Sequence, residues 1–204
     1  MKEVRAFFSS SYKNEFLFYV HPDRRSLDST WQHDWNMPEF TSECWMVASG
    51  ISQKLDMISP VRWIIQSCEH DYTNKDETQR LVTHELVHIY HAQVNRSKDF
   101  SETDNLDWFV EGLATYASGQ FTKDKLAQVQ QAVKENNVPV SLNDFWKGKM
   151  RYQLSGSVLL FVDKIYGRKK LISLLPFTKK SEILSELNTT EERLMADWKA
   201  FLLK

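Results

Sequence analysis

Apolar and polar positions change their period about a third of the way along the chain. Glu15-Phe16-Leu17-Phe18-Tyr19-Val20 is a short apolar run stopped by His21-Pro22-Asp23, which predicts a strand, with Val4 to Phe8 a candidate partner for it. Arg24 to Glu39 is largely polar, holds Trp31 and Trp35, and reads as an ordered loop. Phe40 to Met57 places Cys44, Val47 and Ile51 at helical spacing, and Val61 to Ile65, after Pro60, reads as a second strand. From about Asp76 onward the pattern is helical. Thr78 to Asn95 carries two apolar sets (Val82, Leu86, Ile89 and Val87, Tyr90, Val94) that wrap most of the cylinder, so this helix should be central and buried.

Further helices are predicted from Leu106 to Ser118, ended by Gly119, and from Lys123 to Glu135 on the surface. A short turn opens at Ser141 and Asp144, and an apolar helix runs from Met150 to Tyr166, closed by Gly167. Leu171 to Leu175 ends before Pro176. A last helix starts at the capping-box pair Thr189 and Glu192 and buries Leu194, Trp198, Phe201 and Leu202. The expected fold is therefore α+β and mainly helical, a small N-terminal sheet followed by a helical region, in one domain spanning residues 1–204.

Composition narrows the field. With 42% hydrophobic and 26% charged residues among 204, the chain can bury a core and falls outside the disordered class. A formal net charge of −1 gives no electrostatic case for nucleic acid. No apolar stretch reaches the roughly 18 residues of a spanning helix. Met1-Lys2-Glu3-Val4-Arg5 lacks the apolar core of a secretion signal, so the chain as written reads as cytoplasmic, although an exported chain trimmed of its signal would look the same. Cys44 and Cys68 read as buried free thiols. Nothing in the pattern fixes an oligomeric state.

The chemistry concentrates in Thr83-His84-Glu85-Leu86-Val87-His88. A helix advances about 100° per residue, so His84 and His88 share one face a turn apart and can reach one metal ion, with Glu85 beside them. The positions where a metzincin would carry its third histidine hold His91 and Val94, so that pattern fails. Glu111, in Trp108-Phe109-Val110-Glu111-Gly112-Leu113-Ala114-Thr115-Tyr116, is the better third ligand. The small Gly112 and Ala114 allow its helix to pack closely, and a two-His, one-Glu set leaves a position open for water.

These residues resemble the gluzincin metallopeptidases of the peptidase MA-like group. The likeness covers roughly Leu81 to Leu202 and extends to Tyr152-Gln153 at the head of an apolar helix and to Trp198 on the last one. The resemblance implies a zincin-type site, with zinc bound by His84, His88 and Glu111, Glu85 as general base, and a peptide or protein substrate. It also places a tyrosine on the helix after the glutamate ligand, which makes Tyr152 the candidate oxyanion donor and Tyr116 the runner-up. The Gly-x-Met-Glu-Asn segment of the aminopeptidase branch is absent upstream of His84.

Asp107 and Thr115, one turn either side of Glu111, are candidate orienting groups, and His91 a hydrogen-bonding neighbour on the metal-facing side. His21, His33 and His70 read as structural or exposed, and Trp31, Trp35 and Trp63 as core or pocket lining. If Val61 to Ile65 is a sheet edge over the cleft, an extended substrate could pair with it. Two other functions stay open at this point: a binding domain that has lost activity, and hydrolysis of a non-peptide amide or ester.

Overall fold

The computed structural model covers residues 1–204. Its order is α1 (Lys2–Phe8), β1 (Leu17–His21), α2 (Arg24–Asp34), β2 (Ala48–Ile51), β3 (Lys54–Ile58), a 3-10 turn at Pro60–Arg62 and α3 (Trp63–Gln66). The helical part follows as α4 (Lys75–Val94), α5 (Asp107–Ala117), α6 (Lys123–Lys134), α7 (Arg151–Tyr166), α8 (Arg168–Ser173), α9 (Lys180–Glu186) and α10 (Glu191–Leu202). This is the mainly helical α+β arrangement expected from the sequence. No helix is long and apolar enough to cross a membrane.

The first third departs from expectation in five places. Val4 to Phe8 lies in α1, not a strand. Val4 and Phe8, one turn apart, are buried, and the Phe8 ring stacks on Tyr90 of α4 with centroids 4.1 Å apart. Arg24 to Asp34 is a helix, not a loop: the Asp23 carboxylate accepts from the Ser26 amide and caps it, and only Leu27 and Trp31 turn inward. Phe40 to Met57 is not helical. It runs as a loop into the antiparallel β2–β3 pair, with Ala48 opposite Met57 and Ile51 opposite Lys54. The alternation that would have betrayed β3 is erased because Leu55, Asp56, Met57 and Ile58 are all buried.

Val61 to Ile65, expected as a strand, forms the 3-10 turn and α3. Pro60 suits a first helical position, and Trp63 alone is buried while Val61, Ile64 and Ile65 face outward. Cys44 and Cys68 are not free thiols but a disulfide, and both residues are exposed.

The sheet order is β1-β3-β2, with β1 parallel and β2 antiparallel to β3. The helices match the sequence more closely. α4 begins at Asn74, whose side chain accepts from the Glu77 amide, and buries twelve consecutive or near-consecutive residues from Leu81 to Gln93. The cap of α10 is Thr190, which accepts from the Arg193 amide, one residue later than the Thr189–Glu192 pair expected. α9 has no counterpart in the sequence reading. A core of 38 buried residues, with Trp108, Phe109, Phe161 and Trp198 among the largest, runs through the sheet and the helices alike.

Two glycines set close approaches. A Cβ on Gly50 of β2 would lie 2.4 Å from the Glu85 carbonyl oxygen, so the strand lies directly on α4. A Cβ on Gly112 would lie 2.7 Å from the Ser155 carbonyl oxygen. Gly112 therefore admits α7, rather than drawing α5 towards α4 as expected.

Candidate metal centre

α4 and α5 bring His84, His88 and Glu111 together. His84 Nε2 is 3.0 Å from His88 Nε2 and 3.2 Å from Glu111 Oε2, and His88 Nε2 is 3.5 Å from the same oxygen. Tetrahedral zinc with bonds of about 2.0–2.1 Å sets its ligand atoms about 3.3 Å apart, so the three observed separations fit the face of such a site.

The chemistry of the donors fits as well. Gln120 Oε1 accepts from His84 Nδ1 at 2.8 Å. With Nδ1 engaged by Gln120, Nε2 is the His84 atom that faces a carboxylate oxygen and a second imidazole, the atom a metal ion would take. A cation among these three atoms satisfies all of them. Burial would raise the Glu111 carboxyl, but the His88 charge and the hydrogen bonds from both histidines outweigh it and hold the group well below the usual carboxylate range.

Glu85 is buried beside the cluster. Burial pushes its carboxyl up to about 7, opposed by the His84 charge, assisted by that of Glu111 and tempered by a hydrogen bond from the Gly50 backbone. Tyr152, at the first turn of α7, sets its ring 6.2 Å from that of His84. Burial, then the Glu111 charge, raises its hydroxyl well above the ordinary tyrosine value, so it stays a neutral donor at physiological pH.

All five residues line one cleft of about 840 Å³. Its β-side wall is β2 and the loop before it, including Trp45, and its other wall includes Tyr152 of α7 and Trp146 in the turn before that helix. Because β2 ends the sheet, the strand at the cleft is Ala48–Ile51, not the Val61–Ile65 segment anticipated. The loop carrying Trp45 is firmly held. Arg24 donates to Ser42 Oγ and to the carbonyls of Glu43, Cys44, Met46 and Gln66, and His70 Nε2 donates to the Trp45 carbonyl at 3.0 Å.

Several expected neighbours go elsewhere. Asp107 lines the cleft but makes no hydrogen bond to a histidine; Gln120 fills that role for His84. Thr115 packs against Gly156 of α7. The Tyr116 hydroxyl donates to Asp163 at 2.6 Å and lies outside the cleft. His91 does not face the cluster: it is buried, its Nε2 donates to the Leu175 carbonyl and its ring packs on Phe100 and Phe109.

His21 is buried against Asp56, whereas His33 is exposed. His70, read as structural or exposed, is half-buried and lines the cleft. Trp31 and Trp35 stack together along the cleft, and Trp63 donates to the Ile58 carbonyl in the core. Gln120 escaped the sequence reading because only the fold brings it 36 residues back to His84. The one local signal is Gly119, whose φ of 79° reverses the chain after α5.

Comparison with protein families, curated proteins and solved structures returns no match.

Proposed function

We propose that the protein is a zinc-dependent hydrolase of the gluzincin type that cleaves peptide bonds. The observation that carries this reading is the convergence of His84 Nε2, His88 Nε2 and Glu111 Oε2 at separations of 3.0 to 3.5 Å on the wall of a cleft. In this reading the three side chains hold zinc. When bound, zinc supplies a Lewis acid that polarises water and the substrate carbonyl.

The protein's own groups carry the protons. Glu85 takes a proton from the attacking water as its oxygen adds to the carbonyl carbon, a task suited to a carboxyl raised towards neutrality. Tyr152 donates a hydrogen bond to the oxyanion that forms. Glu85 then returns the proton to the amide nitrogen as the carbon–nitrogen bond breaks, and amine and carboxylate leave. The open edge of β2 offers backbone groups to an extended peptide, which would align it along the cleft.

The Cys44–Cys68 bond favours the second of the two settings read from the sequence, an exported chain that matures in an oxidising compartment.

The test is digestion of a peptide library by wild type and by Glu85→Gln, each loaded with zinc. Peptide products from wild type, reduced at least about 100-fold in the variant, support the reading. Products absent from both would turn it towards a non-peptide amide or ester, or towards a binding domain.

A further inference from the structure

The strand farthest from the cleft is poorly covered. Leu17, Phe18, Tyr19 and Val20 of β1 expose 46% to 59% of their surface, and Val61, Ile64 and Ile65 expose 61% to 70%. The two groups are neighbours: the Ser59 amide donates to the His21 carbonyl and Arg62 Nε to the Pro22 carbonyl. The seven side chains are apolar, and they are bordered by Arg62 and by Lys54, whose Nζ lies 5.9 Å from the centre of the Tyr19 ring.

The backbone of β1 is open too. The Leu17 amide bonds to the Gln53 carbonyl and the His21 carbonyl accepts from Ser59, both on the β3 side. By alternation, Phe18 and Val20 turn their N–H and C=O groups outward. Edge strands in natural proteins are ordinarily blunted by lysine, proline, a bulge or a covering loop, and residues 17–20 carry none of these.

We infer that β1 is the interface of a homodimer, in which two copies of Leu17–His21 pair antiparallel about a two-fold axis at Tyr19. That register sets Phe18 opposite Val20 of the second copy, and Val20 opposite its Phe18. Each pair exchanges two backbone hydrogen bonds and joins an aromatic with a β-branched side chain, a favourable cross-strand combination. The segment is its own complement, as a two-fold interface requires.

The exposed area sets the limit for a second copy. At about 150–200 Å² per full side chain, the exposed fractions sum to roughly 700 Å² per copy, an upper bound because alternate β1 side chains point to opposite faces of the sheet; full coverage would approach the roughly 800 Å² per partner of a standard interface. Pairing here makes a six-stranded sheet. Because the order is β1-β3-β2, the cleft edge at β2 stays free in both copies. The inference does not depend on the activity proposed above.

Sedimentation equilibrium over a micromolar dilution series tests it, with wild type and the double variant Phe18→Lys, Val20→Lys. The expected wild-type mass is twice the 24.0 kDa chain. The variant should sediment as a single chain with an unchanged circular dichroism spectrum, and the amides of residues 18 and 20 should exchange faster than in wild type. Should the lysines unfold the chain, Ile64→Lys with Ile65→Lys, at the exposed rim of the same surface, gives the same reading. Wild type at the single-chain mass throughout would overturn the inference. So would a dimer that survives the lysines in a folded variant, or monomeric wild type that floats with phosphatidylcholine vesicles, which would assign the surface to membranes.

Discussion

Gln120 Oε1 lies 2.8 Å from His84 Nδ1 and thereby sets which nitrogen of His84 faces the cluster. If the cluster holds zinc, Gln120→Ala should weaken zinc binding about 10–100-fold, as loss of such orienting partners does elsewhere. Competition with a chromophoric chelator measures this. Unchanged affinity would mean that packing alone orients the His84 ring.

Gly50 is the point where β2 touches α4. A methyl group there meets the Glu85 carbonyl at 2.4 Å, and backbone on both sides leaves no flexible atom to yield. Gly50→Ala should destabilise the fold by about 1–3 kcal/mol in urea unfolding. It should also lower any hydrolytic turnover of the folded fraction, because the strand and Glu85 would shift together. Wild-type stability and turnover would show that β2 sits farther from the helix.

The loop from Ser42 to Met46 is tied by Arg24 and by the disulfide, and the two ties are separable. Cys44 and Cys68 are 24 residues apart, so removing the bond with Cys44→Ser, Cys68→Ser should cost about 3–4 kcal/mol on chain-entropy grounds. The Arg24 hydrogen bonds should still hold the loop, so native circular dichroism is expected. Arg24→Ala in the same background should then loosen it, seen as faster amide exchange at residues 42–46. Exchange unchanged by losing both would contradict this division of labour.

His91 gives the protein an acid-sensitive element. Burial, and secondarily the His88 charge, lowers its value from the ordinary 6.5 to about 3. The unfolded chain therefore binds this proton more readily than the folded one. The stabilisation is fully present above about pH 6.5 and is lost as pH falls towards 3. The urea midpoint of wild type should drop between about pH 7 and about pH 4.5, and His91→Gln should flatten that slope. Equal slopes would locate the acid sensitivity in other groups.

The helical two thirds were legible because long amphipathic segments carry period and caps in the same residues. α4 and α7 appear within a few residues of where their apolar spacing predicts, and the pattern from His84 to Glu111 picks out side chains that the fold brings together. The first third was obscured for physical reasons. β3 is buried on both faces and loses its alternation, and α2 presents only Leu27 and Trp31 inward. The apolar Val61–Ile65 run is mostly surface. Gln120, the Cys44–Cys68 pair and the Arg24 clamp depend on long-range closure, which leaves no local signature.

The central claim rests on three side chains from two helices holding one metal ion. The most direct test is elemental analysis of metal per chain in wild type and Glu111→Ala, purified without added metal and again after zinc is supplied and excess removed. The account predicts about one zinc per wild-type chain and a marked loss in the variant, as a three-ligand site requires. Wild-type protein that takes up no zinc even when supplied would contradict it.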